Sequence, residues 1–258
     1  GPVKYIGLEI IGSYCLVTDN IVDDGQQLGI SVSDQPQKNY VYWANNTIQN
    51  CIQWGAQLQG DSTGIACHYF YRCQFSGTTS DRGQPVYPGD AGHGFRLNGN
   101  VKHMVFEECR FTHNARIGIQ PGVQPNVDFL HFLRCTITDN KGSAVSPLQP
   151  YTALLWEDCT VENNGSNDLP PAKPFPAPAP SASFTAPDEI RTGTAARFTN
   201  TSQPPLAAQL WDLGDGPPRT EPNPQHTYSR PGSYRVTLLV WDPFGRAARA
   251  ENILTVRE

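Results

Sequence analysis

The chain has 258 residues, with 23 Gly, 23 Pro, 7 Cys and a formal net charge of -5. That turn-rich, weakly charged composition favours short strands over long helices and gives enough chain for one or two domains. From Ala182 onward Lys+Arg and Asp+Glu balance at 8 each, so the acidic excess of 16 over 11 lies wholly before it. This argues against a nucleic acid or an anionic membrane as partner, and no apolar run approaches the roughly 20 residues of a membrane span.

In chain order, Gly1-Pro2 reads as the scar of a cleaved tag, so any export signal would have been removed with it. Tyr5 to Gly12 (Y-I-G-L-E-I-I-G) reads as a first strand. A repeat then begins, in six copies centred on Asp19, Asn46, Cys73, Cys109, Cys135 and Cys159, with gaps of 27, 27, 36, 26 and 24 residues. A recurring period of this size predicts a solenoid, and the alternation of apolar and polar residues predicts strands. Three residues before the centre stand Leu16, Trp43, Phe70, Phe106, Phe132 and Trp156; two after it stand Ile21, Ile48, Phe75, Phe111, Ile137 and Val161. If each copy is one coil, such residues stack at the strand spacing of about 4.8 Å and fill a narrow cylinder. Asn114, Asn140 and Asn164 follow five residues after the last three centres and predict an amide ladder that closes a bend.

A second strand follows each bend, starting at Gly29, Gly55, Gly94, Gly118 and Ala144. Its alternation turns Ile30, Leu58, Phe95 and Ile119 inward and sets Ser31, Gln57, Arg96, Gln120 and Ser146 in one outward column. The cysteines contain no C-x-x-C pair, and four of them share the repeat's central position, so they are expected to stack as small buried fillers rather than chelate zinc. A disulfide between Cys51 and Cys67 stays open at this point.

On these rows the first part of the chain, about residues 3 to 165, resembles a right-handed parallel β-helix of the pectate-lyase-like superfamily. Fold alone does not license an activity. The long gap inserts about ten residues between Thr78 and Gly94, and solenoid insertions often border the binding face. Tyr87, Asp90 and His93 come from that insertion, and Trp54 precedes the strand that carries Gln57. A guanidinium between two amides, beside an aromatic ring, suits the hydroxyls and carboxylates of an extended polysaccharide. The candidate carbohydrate contacts are therefore Trp54, Gln57, Tyr87, Asp90, His93, Arg96 and Gln120. The structural alternative has Arg96 pair with Asp90 to pin the loop while Trp54 covers the barrel edge.

The resemblance also implies catalysis as an alternative, with Arg96, His93 and Asp90 as its residues. Lyases on this scaffold use a basic residue as proton acceptor, often with calcium held by stacked carboxylates. Gly92-His93-Gly94 matches a motif of polygalacturonases. The outward column offers serines and glutamines where the acids of either chemistry should stand, and Asp23-Asp24 falls at a bend. The preferred reading is a module that binds polysaccharide without cleaving it; a structural stalk or adhesin is the third.

Leu169 to Pro180 alternates Pro and Ala and predicts a stiff linker, taken as residues 169–181 between a solenoid (1–168) and a second domain (182–258). There Trp211, Asp212, Gly214, Asp215 and Gly216, then His226, Tyr228, Pro231, Gly232 and Tyr234, resemble the hallmarks of a PKD domain, an immunoglobulin-like sandwich, with Leu213 where that family usually has Phe. Trp211 is expected in its core, and Asp212 and Asp215 in a turn, with calcium at that pair as a minor option and no other cofactor. The fold class is all-β, a parallel β-helix plus an Ig-like sandwich, read as a secreted monomeric part of a multidomain chain. Asn45, Asn164 and Asn200 begin N-x-S/T sequons, which in a bacterial protein are only turn residues.

Overall fold

The computed structural model describes residues 6–25, 27–33, 40–79, 91–121, 127–147, 151–175, 180–203 and 206–258. They contain strands and no helix, and divide into two compact units near residues 176 and 177.

The first unit is a parallel solenoid with three faces. The first face stacks Ile6–Ile10, Leu28–Ser33, the opening halves of Trp54–Tyr71 and His93–Glu107, and Ile119–Pro121. The second stacks Leu16–Thr18, Val41–Ala44, the closing halves of the same two long strands, Val127–Leu133 and Leu154–Glu157. The third is a sheet of six three-residue strands, Ile21–Asp23, Thr47–Gln49, Gln74–Ser76, Arg110–Thr112, Thr136–Thr138 and Thr160–Glu162. Parallel pairing between successive coils is what turns a sequence repeat into vertical rows.

The expected aromatic row is present. Trp43, Phe70, Phe106, Phe132 and Trp156 stack with ring centroids 5.4, 4.8, 4.8 and 4.3 Å apart. Phe95, from the first face, meets Phe70, Phe75 and Phe106 edge-on and fills the space between the rows. Each of the fully buried rings from Trp43 to Phe132 is worth about 2–3 kcal/mol against exposure, and offset or edge-on pairing adds about 1 kcal/mol. The row Ile48–Phe75–Phe111–Ile137–Val161 is in register on the third face.

The first copy is shifted by one residue from the sequence alignment. Val22, not Ile21, pairs with Ile48, and Ile21 is 76% exposed. Asn20, not Asp19, is the central residue: its amide donates to Asn46 Oδ1 at 2.9 Å, and Asn46 donates to the carbonyl of Val17 rather than Leu16. The aliphatic pairs Leu16-Val17 and Ile21-Val22 present an inward candidate in either register, and only stacking on the next coil selects one.

Three columns of residues with positive φ bend the coils. Asp19, Asn45, Arg72, Glu108, Arg134 and Asp158 form one, with φ from 51° to 58°. Asp24, Asn50, Gly77, His113, Asp139 and Asn163 form the second, and Tyr40, Cys67, His103 and Phe129 the third. Large side chains in this region are strained. In the first column ion pairs offset that strain, with Arg72 Nε 2.7 Å and Arg134 3.3 Å from the Glu108 carboxylate.

The amide ladder continues past the residues expected of it. Asn114 and Asn140 each donate a backbone N–H and a side-chain N–H to the Oδ1 of the next asparagine, Asn140 and Asn164. Asn167 accepts from Asn164 in the same way and ends the series. Upstream, Thr78 donates to Asn114 Oδ1 through its amide and hydroxyl.

The proline-rich stretch differs from a free linker at its start. Lys173 exchanges backbone hydrogen bonds with Leu154 at 2.8 and 2.9 Å, Trp156 Nε1 donates to the Pro170 carbonyl at 3.0 Å, and Phe175 packs by Phe129 and His131. Proline lacks an N–H, but Lys173, between Ala172 and Pro174, keeps one, and that suffices to pair with the edge of the last coil.

In the second unit Glu189–Arg191, Ala247–Arg257, Gly232–Trp241 and Ala208–Asp212 make a four-stranded sheet in that order, with two small antiparallel pairs beside it. Trp211 sits at the centre of the core with Phe198, Tyr228, Val236 and Leu238. Asp212 shapes a turn by accepting from Gly214 N at 2.9 Å. Asp215 lies in the bend that follows, and its carboxylate is 2.6 Å from His226 Nε2.

Candidate functional site

The outward column of the first face is the candidate site. Gly94 allows it to form: a Cβ there would meet Asn114 Nδ2 at 2.6 Å and the Gly118 carbonyl at 2.7 Å. Adjacent strands therefore run flush, and the next outward residues stand in register as Glu9, Ser31, Gln57, Arg96 and Gln120. Ser146 follows, one residue past the bridge between Ile119 and Val145. Ser31 and Gln57 are buried, while Arg96, Gln120 and Ser146 are half-buried.

Arg96 lies over the Trp54 ring, its guanidinium carbon 4.4 Å from the centroid. Such a cation–π contact is worth about 1–2 kcal/mol when partly desolvated and holds the guanidinium plane in place. Gln57 on the preceding rung donates its amide to Gln59 Oε1 at 2.7 Å. The site is thus an ordered row, amide, guanidinium, amide, at the rung spacing of about 4.8 Å.

Two expected contacts take different places. Trp54 is 2% exposed, so its ring serves as the platform under Arg96 and presents no open face to a sugar. His93 is 1% exposed; it pairs in register with Trp54, and its Nδ1 accepts from Ile117 N at 3.4 Å. It belongs to the wall behind the row. The reason in both cases is that residues 53 and 92–93 are joined by backbone bonds, Gly92 N and His93 N both donating to the Gln53 carbonyl, which folds this segment onto its neighbour. Tyr87 and Asp90 lie outside the described residues, so the pairing of Arg96 with Asp90 lies outside them too.

The cysteines hold no disulfide: all seven are free, including Cys51 and Cys67. Burial pushes the Cys51 thiol up to about 11. Among the described residues no cluster of three or more His, Cys, Asp or Glu has the geometry for a metal ion, Asp212 and Asp215 included.

Two polar arrangements escaped the sequence reading. Glu107 is a buried carboxylate that accepts from Tyr69 Oη at 2.8 Å and pairs with Arg134, on the second face. His68 is fully buried inside the solenoid beside Trp43. The visible signal for the first was the run Glu107-Glu108 just before a central cysteine; His68 stands in line with the apolar Val41 and Met104 and had none.

A family described as a right-handed β-helix region matches residues 4–169, and the PKD domain family matches residues 177–257. Collagenase ColQ1 of Bacillus cereus is 45% identical over 53 residues, 20% of this chain and 6% of that protein. The PKD1 domain of the Vibrio cholerae metalloprotease PrtV is 31% identical over 31% of this chain and 99% of its own, with a TM-score of 0.29. A structure reported for carbohydrate-binding modules of the β-sandwich superfamily is also 31% identical over 31% of this chain and 35% of its own, with a TM-score of 0.30. The chain spans about 6% of the length of the curated relatives it matches. The chain belongs to the right-handed β-helix family and carries a PKD domain after the solenoid.

Proposed function

We propose that the solenoid is a binding module for an extended polysaccharide, acting without cleavage as part of a larger extracellular protein. The supporting observation is the row Gln57–Arg96–Gln120 with its guanidinium carbon 4.4 Å from the centroid of the Trp54 ring. A fixed guanidinium flanked by amides offers several donors at regular spacing to a ligand that is itself a repeating chain. Hydrophobic burial contributes little, because the ring that could stack on a sugar is already covered by Arg96.

The same row favours retention over turnover. Among the described residues the carboxylate of this row, Glu9, stands three rungs from Arg96, about 14 Å at the usual strand spacing. Hydrolysis needs two carboxyls about 5–9 Å apart across the bond.

Extracellular placement is part of this proposal and draws on the secreted character of PKD modules. No helix among the described residues is long and apolar enough to cross a membrane.

The test is a panel of neutral and acidic polysaccharides, scored for retention of the intact chain and for new chain ends. Retention without new ends, lost in Arg96→Ala, supports the module. New reducing or unsaturated ends overturn it in favour of a hydrolase or lyase. Neither retention nor products leaves a structural stalk as the better reading.

A further inference from the structure

The central column of the repeat places Cys73, Cys109, Cys135 and Cys159 on four successive coils. Each sulfur sits over a carbonyl of the coil before it: Cys135 Sγ donates to Phe106 O at 3.2 Å and Cys159 Sγ to Phe132 O at 3.5 Å. Cys73, Cys109 and Cys135 are buried; Cys159, on the last coil, is half-buried and so opens the column to solvent.

The geometry of its last two members suits a covalent link. The strands that follow them run in strict register, Thr136 with Thr160, and Thr160 N donates to the Cys135 carbonyl at 2.9 Å. Stacked positions on neighbouring rungs have Cα atoms about 4.8 Å apart, inside the roughly 4.4–6.8 Å window of disulfides.

We infer that Cys135 and Cys159 form an oxidation site, in which a small-molecule disulfide such as glutathione disulfide converts the pair to a disulfide that staples the last two coils. Cys159, deprotonated by solvent base, attacks one sulfur of glutathione disulfide and releases one glutathione. Cys135 then attacks the Cys159 sulfur, its proton leaves with the second glutathione, and the S–S bond forms. The net change is two protein thiols oxidised and one disulfide reduced to two glutathiones. The link closes a loop of one complete coil, residues 135 to 159. It removes two weak S–H donors and leaves no buried charge, whereas a metal at this place would leave buried thiolates facing carbonyl oxygens. The pairs deeper in the column have no member at the surface and stay reduced.

The test uses the full chain, folded, in mildly alkaline buffer with excess glutathione disulfide. Intact mass and peptide mapping follow the products, and near-ultraviolet circular dichroism follows the fold. The expected product has lost two hydrogens, yields a linked Cys135–Cys159 peptide, and recovers Cys159 labelling by maleimide after reduction. Cys159→Ser and Cys135→Ser should each abolish the link; the first lies at the half-buried edge and tests the site should the second fold poorly. A lasting glutathione adduct on Cys159 with Cys135 free, a link to another cysteine, or an unchanged mass in the folded protein would overturn the inference.

Discussion

Trp43 Nε1 donates to His68 Nδ1 across 3.0 Å, with both side chains wholly buried in the solenoid. The acceptor role of Nδ1 keeps the imidazole neutral, and burial lowers its pKa from 6.5 to about 3. The unfolded chain therefore binds a proton that the folded chain refuses between those values. Stability should fall as pH drops from about 6.5 toward 3, by about 1.4 kcal/mol per pH unit from this group. His68→Met, which copies the Met104 found one coil on, should flatten that part of the profile. Urea melts of both proteins at several pH values measure it; equal slopes would remove His68 as the cause.

The ladder asparagines differ in what their loss exposes. Asn140 accepts two hydrogens from Asn114 and donates to the Phe111 carbonyl in the interior, and donates to Asn164 in a half-buried contact. Asn140→Leu should cost about 3 kcal/mol or more, since several buried polar groups lose partners at once. Asn167→Leu, at the exposed end of the ladder, should cost about 1 kcal/mol because water replaces it. Thermal melts that gave the two variants equal stability would count against a cooperative ladder.

Gly94 and Gly216 separate steric need from glycine content. At Gly94 a Cβ would strike backbone and the Asn114 amide, while at Gly216 nothing lies within 4 Å. Gly94→Ala should destabilise by about 3 kcal/mol or prevent soluble folding. Gly216→Ala should be neutral within about 0.5 kcal/mol. Expression yield and melting temperature decide.

The exposed corner charges should contribute modestly and through salt-sensitive terms. Arg72 and Arg134 pull the Glu108 carboxyl below its usual range, against an opposing push from desolvation. Arg72→Ala should cost less than about 1 kcal/mol. Glu108→Lys lines three cations along one corner and should destabilise further, with partial recovery at high salt. Melts at low and high sodium chloride would expose the difference, and a salt-independent loss would point to backbone strain instead.

At the candidate site, Arg96→Lys separates charge from geometry. Lysine keeps the charge but loses the flat fork that Trp54 supports. If the planar row is what holds a glycan, Arg96→Lys should weaken retention nearly as much as Arg96→Ala. Full retention in the lysine variant would reduce the role of Arg96 to charge alone.

The architecture was legible because a solenoid writes its rows into the sequence at a constant period. The aromatic row from Trp43 to Trp156, the asparagines from Asn114 to Asn164, and the order of the column from Ser31 to Gln120 all follow from counting residues between coils. The PKD hallmark was legible for another reason: its motif is short and local, and Trp211 lies in the core as expected.

Tertiary packing decided what counting could not. Whether Ile21 or Val22 turns inward depends on which one meets Ile48, because two adjacent aliphatic residues satisfy alternation equally. Lys173 became an edge pair of Leu154 although its neighbours read as linker, since composition does not register a single N–H placed against an open strand. Trp54 and His93 look like ligand contacts in a sequence and lie buried in the fold, because exposure belongs to the assembled coil and to no residue alone. The sequence by itself determined the period, the rows and the two modules. The tertiary structure determined which row residues reach solvent, since that depends on what the neighbouring rung covers.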